Sequence, residues 1–150
     1  ILSPAKCATG SYKSRMTKLD IYIDGASKGN PGPSGIGIII MRNGSVLREI
    51  GRFIGPATNN IAEYTALVNA LQEGLMLKAD SVRIRSDSEL LCRQLNKLYK
   101  VKSANIIGLY SQAENLLRGF KQVSIEHIPR EQNAHADKLA TQAVKEALKR

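Results

Sequence analysis

The chain has 150 residues, 43% of them hydrophobic, and 22 Lys and Arg against 13 Asp and Glu give it a formal net charge of +9. That length suits one domain with a real core, and the longest apolar run, Ile36 to Met41, is strand-sized, which excludes a membrane-spanning segment in the sequence given. Cys7 and Cys92 lie far apart without metal-ligand spacing, no signal peptide is visible, and a reduced, cytoplasmic setting with a polyanionic partner is the expectation.

Residues 1–17 mix small, polar and basic types without periodicity and are expected to be a flexible extension, ahead of a catalytic domain at 18–150. Leu19, Ile21 and Ile23 alternate with polar neighbours, predicting a strand that ends at Asp24. Gly29-Asn30-Pro31-Gly32-Pro33 then reads as a turn. A second strand is predicted from about 35 to 41, a hairpin turn at Arg42-Asn43-Gly44-Ser45, and a third strand from about 46 to 54. Ile61, Tyr64, Leu67, Val68, Leu71 and Leu75 recur at three- and four-residue spacing, predicting a helix over about 60–77. A fourth strand follows at 81–87, then helices at about 88–98 and 104–118. Val123, Ile125 and His127 share one face of a fifth strand that Pro129 ends, and a last helix is expected over 133–148. A hairpin-linked trio followed by helix-separated strands implies an α/β fold: a mixed sheet of three antiparallel and then parallel strands, flanked by helices. Asp24 and Asp87 then stand at the carboxyl ends of strands, where open sheets of this kind place ligands.

Four acids in four separate segments carry the functional argument: Asp24, Glu63, Asp87 and Asp137. Singly, each has a structural alternative. Glu63 stands three residues after Asn60, the spacing of a capping box. Asp87 could cap a helix, and Asp137 could simply favour the dipole of an early helical turn. Brought together, four carboxylates repel unless cations neutralise them, and an all-oxygen donor set suits magnesium or manganese. Two such ions about 4 Å apart would activate water and stabilise the leaving oxygen of a phosphodiester. Acids that hold metal within a basic protein that holds phosphates fit a nuclease.

The motifs around these acids are Asp24-Gly25-Ala26-Ser27-Lys28-Gly29-Asn30-Pro31-Gly32, Asn59-Asn60-Ile61-Ala62-Glu63, Ser86-Asp87-Ser88 and Asn133-Ala134-His135-Ala136-Asp137. In this order the chain resembles type 1 ribonuclease H, over about residues 18–143. The resemblance implies a five-stranded mixed sheet and an endonuclease cutting the RNA strand of RNA–DNA hybrids with two Mg²⁺ ions, Mn²⁺ being the expected substitute. The products would carry 5′-phosphate and 3′-hydroxyl ends. It further implies that Asp24 bridges both ions, that Glu63 and Asp87 hold the ion on the leaving-group side, and that Asp137 holds the one on the nucleophile side. Gly25, Ser27, Asn30, Asn59 and Asn60 would line the minor groove of the hybrid, where 2′-hydroxyls mark RNA. Thr58 would hold a DNA-strand phosphate, with Lys28, Lys97, Lys100 and Lys102 as candidate supplements. No protein partner is implied, and a monomer is expected.

The chain also departs from the family pattern. The loop Pro129-Arg130-Glu131-Gln132-Asn133 lacks the histidine many members carry there, so Arg130 or Glu131 is the candidate loop helper. His127 is expected to be packed. His135 should project about 200° away from Asp137 around the helix and lie on the surface. Glu89 replaces a glutamine that contacts RNA in relatives, and no Trp-rich basic protrusion separates the second and third helices, which leaves Tyr99 and nearby lysines as partial substitutes. Weaker substrate grip follows from both. Alternatives are a relative that also cuts double-stranded RNA, the ribonuclease H domain of a reverse transcriptase, and a non-catalytic hybrid-binding module.

Overall fold

Alternating apolar residues do build the first strand, but it runs further than the alternation suggests. In the computed structural model, which describes residues 16–150, β1 spans Lys18–Ser27. The first fifteen residues of the expected extension, and Cys7 with them, lie outside the described residues. Thr17 is already tied down: its N–H donates to Asp80 Oδ2 at 2.9 Å and its carbonyl accepts from the Asp80 and Ser81 amides.

β2 (Gly32–Arg42) and β3 (Ser45–Ala57) complete an antiparallel meander with β1. The prediction that β1 stops at Asp24 is corrected here. Gly25, Ala26 and Ser27 still pair with Ile36, Gly35 and Ser34. The parallel partner β4 (Ser81–Ser86) leaves β1 earlier, at Tyr22 opposite Arg85. Asp24 is therefore held on one side by β2 and open on the other, where β4 has ended. β5 (Gln122–His127) pairs with β4 in parallel, giving the order β3-β2-β1-β4-β5.

Helices cover both faces. α1 (Asn59–Met76) packs on β1 and β2, and α3 (Ala104–Leu117) packs against α1. The short α2 (Glu89–Leu95) follows β4. Between this layer and the sheet lies one core built from Ile21, Ile23, Ile36, Ile38, Leu67, Leu71 and Ile84, none measurably exposed. A single 3₁₀ turn (Arg130–Asn133) leads into α4 (Ala134–Leu148), which lies on the other face across β2, β3 and β1.

α4 lies unusually close to the sheet. A Cβ added to Gly37 would stand 2.0 Å from the Ala136 carbonyl oxygen, and one on Gly35 2.5 Å from that of Ala140. Glycines on the strand and alanines on the helix thus let backbone rest on backbone. Gly37 is the register partner of Asp24, so the closest approach of α4 sets Asp137, next to Ala136, beside Asp24.

Candidate active site

Each acid is presented by a different local device. Asp24 is carried inside β1, 5% exposed. Glu63 belongs to the second turn of α1 and is 8% exposed. Its carboxylate does not cap the helix: Thr58 does, its hydroxyl accepting from the Ile61 amide at 3.2 Å. Glu63 Oε1 instead accepts from the Gly25 amide at 2.7 Å. Gly25 makes that approach possible, because a Cβ there would lie 2.4 Å from the Ala62 carbonyl carbon. Gly25, expected to line a groove for sugars, thus also seats α1 on β1.

Asp87 follows the last residue of β4 and is half-buried. The cap of α2 is Ser88, whose hydroxyl accepts from the Leu91 amide at 3.2 Å, so Asp87 is not the capping side chain. Fully buried Ser86 accepts from the Ser88 amide at 3.0 Å and turns its hydroxyl toward Glu63 at 3.5 Å. Carboxylate oxygens of Asp24, Glu63 and Asp87 all lie within 4.8 Å of one another. Asp137, in the first turn of α4 and exposed, lies close enough to Asp24 to help raise its carboxyl. All four acids therefore converge on one edge of the sheet.

The electrostatics follow from this packing. Burial, reinforced by the charge of Glu63, raises the Asp24 carboxyl well above its ordinary value. Burial also raises Glu63, although hydrogen bonds from Asp24 and the Gly25 amide pull the other way. Without a cation, burial and mutual repulsion favour a shared proton on the pair. A hard divalent ion would remove the need for that proton, and the close, oxygen-only donors fit one. Cys92 is no rival ligand: it is buried, and burial pushes its thiol up to about 11.

Beside the acids the β1–β2 turn and the start of α1 clasp each other. Asn30, at φ 29°, accepts from the Asn59 amide through Oδ1 at 2.8 Å, and Asn59 Oδ1 accepts from the Ser27 amide at 3.1 Å. The Ser27 hydroxyl donates to the Ala57 carbonyl at 2.8 Å. Both amide oxygens are thus committed, which leaves the Nδ2 groups as donors and Ser27 Oγ as an acceptor. Asn30, Thr58, Asn59 and Asn60 line a groove of about 460 Å³. Ser103 and Asn105, from the start of α3, complete it. Sequence reasoning missed these two. Only tertiary packing of α3 against α1 brings them there, and the one local signal was their place at a helix start.

Other expected contacts are placed differently. Glu89 is exposed and pairs with Arg93 at 2.8 Å. Lys97 is engaged by Glu114 and by the Tyr110 hydroxyl, so it is not a free phosphate ligand. Tyr99 is half exposed with the Arg93 guanidinium over its ring at 5.3 Å. Arg130 and Glu131 are exposed in the 3₁₀ turn before α4. His135 lies on the surface as expected, 3.3 Å from Glu49. His127, expected to be packed, is exposed. It shares the face of Val123 and Ile125, but it ends β5, an edge strand that among the described residues pairs only with β4.

One further side chain ties the last acid to the first. Asn133, 1% exposed at the head of α4, donates from Nδ2 to the Ile23 carbonyl at 2.9 Å, one residue before Asp24. Its Oδ1 is buried without a partner among the described residues.

Comparison with known proteins gives a consistent picture. A family model described as Reverse transcriptase-like matches residues 22–143. Ribonuclease HI of Halobacterium salinarum is 37% identical over 97% of this chain and 73% of its own length. The crystal structure of RNase H1 from that archaeon superposes with a TM-score of 0.84 at 38% identity, covering 86% of this chain and 98% of the other. The Bifunctional protein Rv2228c of Mycobacterium tuberculosis is 39% identical over 85% of the chain, but the match spans only 35% of that protein. LC11-RNase H1, solved in complex with an RNA/DNA hybrid, superposes with a TM-score of 0.82 at 39% identity, covering 87% of this chain and 99% of the other.

Proposed function

The chain belongs to the ribonuclease H family, and from that membership we propose that it is an endoribonuclease hydrolysing the RNA strand of RNA–DNA hybrids. The observation that carries the reading is the meeting of Asp24, Glu63 and Asp87 within 4.8 Å, with Asp137 beside Asp24. A non-catalytic binding module would have no use for buried carboxylates kept at such electrostatic cost.

Asp24, Glu63, Asp87 and Asp137 are the residues that would hold two Mg²⁺ ions. When bound, the metal supplies a more acidic water and neutralises charge developing on the phosphate and its leaving oxygen. The chain does the rest. Gly25 and Gly37 permit the two backbone approaches that fix Glu63 and Asp137 against Asp24. Asn30, Asn59, Asn60 and Ser27 offer donors and acceptors for 2′-hydroxyls in the groove beside the acids. Thr58, with Asn105 opposite, is suited to a phosphate. Arg130, exposed in the turn before α4, would be the loop residue that attends the cleaved phosphate. The expected products carry 5′-phosphate and 3′-hydroxyl ends. A hybrid bound to the relative LC11-RNase H1 supports the substrate class.

The test is to incubate wild type and Asp24→Asn with labelled RNA–DNA hybrid, duplex RNA and duplex DNA, each with magnesium, manganese or chelator. Metal-dependent cutting of the hybrid's RNA strand that Asp24→Asn abolishes would support the proposal. Cutting that persists in chelator would overturn the metal mechanism, and comparable cutting of duplex RNA would widen the substrate class.

A further inference from the structure

Outside the carboxylate cluster, one face of α4 carries a row of cations. Asp137, Thr141, Lys145 and Lys149 recur at four-residue spacing and therefore share a face. With Lys138 they line a continuous groove of about 450 Å³. Thr141 and Lys145 also border a second groove, of about 260 Å³, whose opposite wall is Ala26, Ser27 and Lys28 from the end of β1. Lys28, Lys138, Lys145 and Lys149 take part in no ion pair among the described residues. Glu146 is the one acid along this path besides Asp137.

We propose that this face of α4, with Lys28, is a phosphate track that extends nucleic-acid binding past the catalytic acids along one arm of the hybrid. The inference rests on the nuclease reading above and adds to it a binding surface and its occupant. Two observations select a polyanion backbone over an acidic protein surface. The track starts at Asp137 and Ser27, residues of the candidate active site, so a polymer with one phosphate at the acids continues onto it. Its cations are also spaced along a line rather than gathered in a patch. Lys138 to Lys149 covers about 16 Å of helix, a length on the order of five nucleotides of one strand.

The test measures binding of an RNA–DNA hybrid as a function of salt for wild type and for the triple variant Lys138→Gln, Lys145→Gln, Lys149→Gln. Calcium replaces magnesium so that the hybrid survives. A control triple variant, Lys18→Gln, Arg42→Gln, Lys78→Gln, removes equal charge at the other end of the sheet. The track variant should reduce the slope of log affinity against log salt by about 2 to 3, and the control should not. Shortening the hybrid from one end only should erase the difference between wild type and the track variant, and kcat in magnesium should be unchanged. Should the track variant lose its fold, judged by its melting curve, Lys145→Glu alone carries the same expectation with a smaller slope change. Equal slopes for wild type and track variant, with hybrid cleavage intact, would overturn the track and leave the nuclease standing. A loss that is the same for hybrids shortened from either end would also overturn it. Failure of the wild type to bind or cut hybrid would overturn the nuclease reading itself, and the track with it. Selective loss of binding to an acidic protein, with hybrid binding unaltered, would assign the face to a protein partner instead.

Discussion

Asp24 lies against Glu63 and Asp87, their carboxylate oxygens within 4.8 Å, while β4 has already ended at its side. Its raised carboxyl has a consequence for stability. A folded-state value above that of the unfolded chain means the unfolded chain releases its proton first as pH rises. Stability should then be greatest below the ordinary carboxylate range and decline as pH climbs from there toward the raised value. Glu63 acts in the same direction. Metal-free protein should accordingly melt at lower temperature at neutral pH than at mildly acidic pH. Asp24→Asn should flatten that decline and raise the metal-free melting temperature near neutrality while abolishing cleavage. A variant no more stable than wild type in chelator would show that the carboxylate bears no burial penalty. Arg130 is exposed in the turn before α4; Arg130→Ala should slow turnover more than it weakens hybrid binding, and unchanged turnover would reject the assignment. His127 shows where residue-level reading fails. Its alternation with Val123 and Ile125 is genuine, but whether a face is covered depends on neighbours that the local pattern does not encode.

At the scale of elements, the site depends on how closely two helices approach the sheet. Gly37→Ala would drive a methyl group into the Ala136 carbonyl. Relief requires α4 to lift, at a cost of roughly 1–3 kcal/mol by analogy with overpacked cores. Activity should fall further than stability alone would explain, because Asp137 moves with the helix. A variant with wild-type kcat and a lowered melting temperature would disconnect the two. Asn133→Ala removes the bond from α4 to the Ile23 carbonyl, which should cost about 0.5–1.5 kcal/mol and loosen Asp137 relative to Asp24. Thermal unfolding beside kcat would check both parts. The elements themselves were mostly legible: alternation located β1, β4 and β5, the hairpin signal at residues 42–45 separated β2 from β3, and three-and-four spacing located α1. Boundaries were harder. Gly25, Ala26 and Ser27 look like turn residues, yet strand pairing with β2 holds them in β1. The close approaches were present in the sequence as Gly35 and Gly37 facing Ala136 and Ala140, although nothing local says that these segments meet.

For the whole molecule, the four acids are spread over more than a hundred residues of sequence, from Asp24 to Asp137, and the fold gathers them at one sheet edge. Their motifs were readable because each is anchored to an element with its own signature. The groove partners Ser103 and Asn105 were not, since they enter only through the packing of α3 on α1. In the proposed reading, a basic chain of net charge +9 that concentrates acids at one edge has a simple electrostatic plan: cations would hold a polyanion, and acids the metal that acts on it. Among the described residues no helix is long and apolar enough to cross a membrane.

Calorimetric titration of Mn²⁺ into metal-free protein, comparing wild type with Asp24→Asn, tests the convergence of the acids most directly. Wild type should bind with measurable heat, and at a hundredfold excess over the dissociation constant it should gain about 2.7 kcal/mol of stability. Asp24→Asn should lose most of both. Equal binding by the two proteins, or none by wild type, would contradict a metal centre built on these four carboxylates.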